Sequence, residues 1–233
     1  MKEENVKKKY AEKLNQLPDY CKSFFYAKDD VYAAKTKLAY AIDLYTFFYY
    51  LIDTEPDRFP YNSVKDFTLD ELNSLTSEDI IGYMIYLNDY AMKNPDGTVS
   101  NYKNSATGKK RKLATLKSFF RYLNVNRKIE NDPTHFVDTP KTRKKEIIVL
   151  SEKEQKKLQH AVETGKDKTT RALAFHEHTK YRDIAILTTF LGTGLRVSEL
   201  VGLDINDLDF DEQRVLTKRK GEGQEFPMAK IDR

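Results

Sequence analysis

Residues suited to phosphate chemistry cluster between positions 181 and 200. A run with helical spacing ends in Gly192-Thr193-Gly194, and its two glycines predict a break before a second helix that begins at Leu195 or Arg196. Arg196 then lies in the first turn of a helix, where backbone N–H groups without helical partners carry partial positive charge. A planar, permanently charged guanidinium beside such groups is suited to binding a phosphate.

Two simpler interpretations compete with a phosphate site. Arg196 could be solvated or paired with Glu199, one helical turn further on. Gly192-Thr193-Gly194 could begin a dinucleotide-binding loop, but Val197 stands where that fingerprint requires its third glycine. The preceding run also has helical spacing, whereas a strand is required, so the dinucleotide loop is excluded.

The longer string resembles a known motif. Residues 192–200, followed by Gly202-Leu203-Asp204 and residues 207–210, are similar to the first catalytic-arginine motif of tyrosine recombinases. The likeness is closest to Xer-type recombinases and integrases of mobile elements, and it is most specific over residues 181–210. It implies that Arg196 is catalytic. We expect Asp183 and Glu199 to support the site through hydrogen bonds, without reacting themselves.

The resemblance also implies a catalytic lysine on a β-hairpin, which enters the DNA minor groove and acts as general acid. The sequence predicts strands at residues 207–210, 214–218 and 224–228, with a turn from Lys220 to Gly223. Lys220 is the best match to the family lysine, and Lys218 is the alternative. Gln224-Glu225 departs from the family pattern, in which basic residues are common.

The family nucleophile is a late tyrosine that follows a His-x-x-Arg motif. Neither is found after Lys220, and the sole tyrosine between residues 146 and 233 is Tyr181. We therefore expect the N-terminal portion of a recombinase, which binds DNA but does not cleave it. The complete protein is expected to cut and rejoin DNA through a 3′-phosphotyrosine, without metal, nucleotide or other cofactor. The alternatives are a non-enzymatic DNA-binding regulator derived from a truncated recombinase, and a helical protein-interaction module without affinity for DNA.

The distribution of charge supports a polyanionic partner better than the overall charge of +4 does. Residues 101–145 contain 13 basic and 3 acidic side chains, a net charge of +10, whereas residues 46–100 carry a net charge of −7. We expect the partner to be double-stranded DNA, with self-association of the protein on it. The lone Cys21 excludes an internal disulfide and fits a reducing compartment. Without a recognisable signal peptide or a long apolar run, the expected location is the cytoplasm, with no membrane partner.

Two predicted helices of the first half carry basic residues near their starts. In the helix predicted at about 31–52, a face of Leu38, Ile42, Tyr45, Tyr49 and Ile52 is expected to be core. A later helix, capped by Ser105 or Thr107, buries Leu113, Leu116, Phe120 and Leu123. Its stretch from Lys110 to Leu123 looks like the last large helix of the recombinase core-binding domain. The resemblance implies that the DNA backbone is contacted by Lys35, Thr36, Lys110, Arg111 and Lys112.

The predicted architecture is mainly α. A helical core DNA-binding domain spans residues 1–138, a basic linker spans 139–149, and an incomplete α+β catalytic domain with a small β-hairpin spans 150–233. Capping boxes predict helix starts at Thr76 and Ser151. His176 and His178 do not predict a metal site, because alternate positions of a helix point apart and no third ligand lies near.

Overall fold

A computed structural model of the chain describes residues 3–94, 96–142, 146, 148–166, 169–218 and 223–227. The chain divides into two compact units, Met1–Lys144 and Lys145–Arg233.

The first unit is helical, with one small hairpin. Its helices are α1 (Glu3–Leu14), α2 (Asp19–Tyr26), α3 (Ala34–Thr54), α4 (Leu69–Asn73), α5 (Ser77–Tyr86) and α6 (Ala106–Val125), with a 3₁₀ turn at Val64–Asp66. Strands β1 (Tyr90–Lys93) and β2 (Val99–Tyr102) pair antiparallel between α5 and α6. This hairpin was not predicted, because its strands are short and mostly exposed and lack a strong alternating pattern.

The core of this unit lies between α3 and α6. All four apolar residues predicted for the buried face of α6 are fully buried, as expected for a helix with one apolar stripe. The predicted face of α3 is only partly correct. The fully buried apolar residues of α3 are Ala41, Leu44, Phe47, Phe48 and Leu51. The predicted residues Tyr45, Tyr49 and Ile52 are only partly buried against the core, and Ile42 is 42% exposed. Tyr45 instead meets α1, whose Lys13 ammonium lies 3.9 Å from its ring centroid.

Side-chain caps fix the predicted helix starts. Asp79 accepts hydrogen bonds from the backbone N–H (2.6 Å) and hydroxyl (3.1 Å) of Thr76, so an aspartate serves in the predicted capping box of α5. At α6 the cap is Ser105, whose hydroxyl accepts from the Gly108 N–H at 3.3 Å. Satisfying these N–H groups fixes where α5 and α6 begin.

The second unit contains a helical pair and a small sheet. Its helices are α7 (Glu152–Thr164), α8 (Thr170–Thr193) and α9 (Val197–Val201), followed by a 3₁₀ turn at Ile205–Asp207. The predicted Ser151–Glu154 capping box opens α7. Strands β3 (Leu208–Asp209), β4 (Arg214–Lys218) and β5 (Gly223–Pro227) form an antiparallel sheet in the order β3-β4-β5, with Val215 opposite Phe226. The mainly α fold with a small β-hairpin is therefore confirmed.

Buried apolar side chains are distributed unequally. Among the described residues, those of the second unit are Leu195 and Val215, and all the others belong to the first unit. The search for metal-ligating clusters, confined to the same residues, finds no group of three or more His, Cys, Asp or Glu side chains that could hold an ion. In the described parts of the chain, no helix is both long and apolar enough to span a bilayer.

Candidate functional site

Arg196 is held at a sharp junction between two helices. Gly192 continues α8, contrary to the predicted break, and only Gly194 leaves the helix, with φ 66° and ψ 20°. This left-handed conformation favours glycine because it lacks a Cβ atom. Leu195 is then buried, and Arg196 adopts an extended conformation as the N-cap of α9, one residue before the helix that it was predicted to enter.

Glu199 fixes Arg196 through both backbone and side chain. Oε2 of Glu199 accepts a hydrogen bond from the Arg196 backbone N–H, and Oε1 accepts one from Arg196 Nη1; each is 2.8 Å long. The Glu199 side chain is 10% exposed, whereas that of Arg196 is 66% exposed. The predicted pairing thus exists, and it orients a guanidinium that still reaches solvent with its other N–H groups.

A cavity of about 690 Å³ lies beside this pair. Within the described part of its lining, Arg196 is the one basic residue, next to the carboxylates of Glu199, Asp204 and Asp207. A phosphodiester here would meet more negative than positive charge, so net attraction requires a further cation. Lys220, predicted to act here, lies outside the described residues, and its role stays a prediction.

The other predicted residues of this unit are placed in part. Lys218 ends β4 and its backbone stands opposite Gly223, but its side chain lies outside the described atoms. Asp183 lies within α8, where it accepts hydrogen bonds from the Thr179 hydroxyl (3.0 Å) and from Arg182 Nη2 (2.8 Å). It is a hydrogen-bonding residue, as expected, and its part in the site stays a prediction.

The basic residues predicted to contact DNA differ in exposure. Lys35 is exposed and Thr36 is half-buried in the first turn of α3. Lys110 is exposed on α6, and the Arg111 side chain is 48% exposed. Lys112 is different, because its side chain is only 6% exposed. A buried ammonium cannot reach a phosphate in this conformation, so we remove Lys112 from the predicted contacts.

Lys112 and Arg111 share a buried partner, Asp43 of α3. Asp43 is fully buried, and its Oδ1 accepts from Arg111 Nη2 at 2.8 Å and from Lys112 Nζ at 3.0 Å. Its Oδ2 accepts from the Thr115 hydroxyl at 2.9 Å and from Arg111 Nη1. Burial and then the charge of Asp43 raise the pKa of Tyr83 well above its usual range. A desolvated carboxylate is thus enclosed by two cations and a hydroxyl.

Two further basic residues of α6 were not among the predicted DNA contacts. Lys117 and Arg121 follow Lys110 by 7 and 11 residues, which places all three within about 40° on one side of the helix. Lys117 and Arg121, together with Lys28 and Tyr122, line a groove of about 530 Å³. The spacing of Lys110, Lys117 and Arg121 in the sequence could have predicted this shared side of the helix. The four consecutive basic residues at 109–112 made it harder to recognise.

Comparisons with known proteins add to this geometry. Residues 148–230 match the phage integrase family. A tyrosine recombinase XerC of Caldanaerobacter subterraneus subsp. tengcongensis is 30% identical over 186 residues, covering 77% of this chain and 46% of that protein. A tyrosine recombinase XerS of Lactococcus lactis subsp. cremoris is 26% identical over 239 residues, covering 95% of this chain and 66% of that protein.

A solved structure shares the fold. The Tn1549 transposon integrase, solved in complex with circular intermediate DNA, is similar over 80% of this chain and 61% of that chain, with a TM-score of 0.50 and 16% identity. Across these three proteins, the chain spans from about half to two thirds of the length of its relatives.

Proposed function

We propose that this chain belongs to the tyrosine recombinase family and binds double-stranded DNA as part of a site-specific recombinase. The observation that carries the proposal is the Arg196–Glu199 pair within the matched region, in which a nearly buried carboxylate holds an exposed guanidinium. The reaction of such a recombinase is strand cleavage and rejoining through a 3′-phosphotyrosine.

Each residue of the proposed site has a distinct task. Arg196 binds the non-bridging oxygens of the scissile phosphate, because its fork can donate two parallel hydrogen bonds to them. Glu199 holds Arg196 in place before DNA binds. Lys220 donates the proton to the leaving 5′-oxygen, and Lys218 is the alternative donor. Neither Tyr181 nor any other residue of this chain is assigned as the nucleophile.

DNA backbone contacts in the first unit come from α3 and α6. We assign Lys35, Thr36, Lys110 and Arg111 to phosphates, and we extend the surface along α6 to Lys117 and Arg121. The support for this assignment is the concentration of positive charge in residues 101–145 and the exposure of Lys35, Lys110, Arg111 and Arg121. Thr36 and Lys117 are half-buried, and the Lys117 ammonium donates a hydrogen bond to the Val137 carbonyl at 2.8 Å. We also propose that several copies assemble on the DNA, and that the protein acts in the cytoplasm.

Salt dependence of binding tests the DNA proposal. The affinity for a duplex, measured by fluorescence anisotropy between about 50 and 200 mM salt, is expected to fall steeply, with a logarithmic slope of roughly −0.9 for each phosphate contact. Changing Arg121 to Gln should make that slope shallower by about one unit. The same change at Lys8, an exposed residue of α1 outside the assigned surface, is the matched control. Affinity that is absent, or that does not change with salt, would contradict the proposal and favour a protein-interaction module.

Cleavage is tested separately. A nicked suicide substrate traps a recombinase covalently on DNA, and we expect this 233-residue chain to bind such a substrate without forming the covalent complex. A covalent complex would show that a residue of this chain is the nucleophile.

A further inference from the structure

We propose that Asp43 is a positioning residue for DNA binding, which fixes the guanidinium of Arg111 so that its exposed edge faces a phosphate. This inference rests on the proposed function, since it assumes that Arg111 contacts DNA. Asp43 itself has no access to the ligand, because its side chain is fully buried beneath α6.

The balance of charge shows that Arg111 is not needed to neutralise Asp43. Lys112 is buried beside the carboxylate and already offsets its single negative charge. A buried carboxylate needs a partner, and Lys112 with Thr115 supplies one charge and two hydrogen bonds. Arg111 therefore adds a positive charge that the cluster does not cancel, and it adds this charge at the surface.

The geometry of the contact sets the direction in which that charge is presented. Nη1 and Nη2 of Arg111 bind different oxygens of Asp43, which fixes the plane of the guanidinium. Two of its five N–H groups are used, and the side chain remains 48% exposed. An arginine that is already held in place loses less conformational entropy when it binds a phosphate. Lys110 next to it is exposed and has no carboxylate partner among the described contacts.

A purely structural role for Asp43 makes a different prediction. In that case, loss of the carboxylate would weaken DNA binding equally whether or not Arg111 is present, since it would act through the fold. If Asp43 acts through Arg111, its effect on affinity depends on the residue at position 111. A double-mutant cycle measures this dependence directly.

The experiment compares Asp43→Asn, Arg111→Ala and the double variant in the full chain, each shown by circular dichroism to be folded at the assay temperature. The probe is a duplex of about 30 base pairs at low salt, where backbone contacts supply the affinity. Each single change is expected to weaken binding about tenfold, and the double variant also about tenfold rather than a hundredfold. The melting temperature should fall with Asp43→Asn whether residue 111 is Arg or Ala, because the buried Asp43–Lys112 ion pair is lost in both cases.

Lys110→Gln is the control for the cycle. It should weaken binding by the same factor with Asp43 or with Asn at position 43. If Asp43→Asn prevents folding, Thr115→Val replaces it, because the Thr115 hydroxyl binds Oδ2 of Asp43, the oxygen that also binds Arg111 Nη1. Thr115→Val should weaken DNA binding with Arg111 present and have no effect in the Arg111→Ala background, and an equal effect in both backgrounds would overturn the proposal. If the double variant binds about a hundredfold more weakly than the wild type, the changes at positions 43 and 111 act independently. That result would overturn the proposal, while the proposed function stands. Wild-type protein that does not bind the duplex would instead refute the proposed function.

Discussion

At the residue scale, two pairs share one arrangement, in which a shielded carboxylate holds a more exposed arginine. Glu199 holds Arg196 in the second unit, and Asp43 holds Arg111 in the first. A surface arginine paired with an exposed acid contributes little to stability. These carboxylates are instead 10% exposed and fully buried, so they restrict the arginine more strongly than a solvated partner would.

Arg196→Lys tests the role of the fork in a complete recombinase that contains this chain. Lysine keeps the charge but cannot donate two parallel hydrogen bonds to the phosphate. We expect the rate of cleavage to fall by about a hundredfold or more, with DNA affinity nearly unchanged. Arg171→Lys, at an exposed arginine near the start of α8, is the matched control. Cleavage by the Arg196 variant that matches the control variant would remove Arg196 from catalysis.

At the scale of elements, two glycines that end helices differ in what a substitution would cost. Both adopt a left-handed backbone conformation, but only one is crowded by neighbouring side chains. Gly165 after α7 and Gly194 after α8 have φ values of 65° and 66°. A Cβ atom on Gly165 would come within 2.7 Å of the His176 ring, whereas one on Gly194 would meet nothing within 4 Å.

We expect Gly194→Ala to lower the free energy of unfolding by about 1 kcal/mol, which is the cost of a left-handed alanine. Gly165→Ala should cost more, because His176 and Leu173 must also move. Hydrogen exchange of the α7 and α8 amides measures both costs locally. Equal costs would mean that the pocket around Gly165 accommodates a methyl group freely.

The elements also show what the sequence could predict. The starts of α5 and α7 were correct because a capping box is a local signal of four residues. The core face of α3 was only partly correct, because apolar residues occur on several sides of this helix and the spacing alone does not select the side that faces the core. Arg111 and Lys112 looked equivalent in the sequence. Both bind Asp43, 68 and 69 residues away, but the Lys112 side chain is buried and the Arg111 side chain is about half exposed. No local pattern records contacts with so distant a residue.

At the scale of the whole molecule, the apolar core is concentrated in the first unit. Cys21 of α2 is fully buried there beside aromatic side chains. Burial, and then the charge of Asp19, raise the pKa of its thiol well above the usual range. The thiolate is the reactive form of cysteine. In the folded protein, reagents therefore cannot reach the Cys21 thiol, and the thiol stays protonated.

We therefore expect the single thiol to react with a disulfide reagent only when the first unit opens. Labelling of native protein at pH 8 should be slower than labelling in urea by at least about a hundredfold. Ala27→Cys, at the exposed C-cap of α2, adds a thiol that should react at once and serves as the control. Rapid native labelling of Cys21 would contradict a closed core around α2.

The raised pKa also has a consequence for stability. Above about pH 8.5 the thiol ionises in the unfolded chain but not in the folded one, so the unfolded state binds fewer protons. The contribution of Cys21 to the free energy of unfolding should therefore decrease as the pH rises beyond that value. Cys21→Ser removes this contribution, and urea titrations of both proteins at pH 7 and pH 9.5 measure it. A gap between the two proteins that stays constant with pH would show that Cys21 ionises equally in both states.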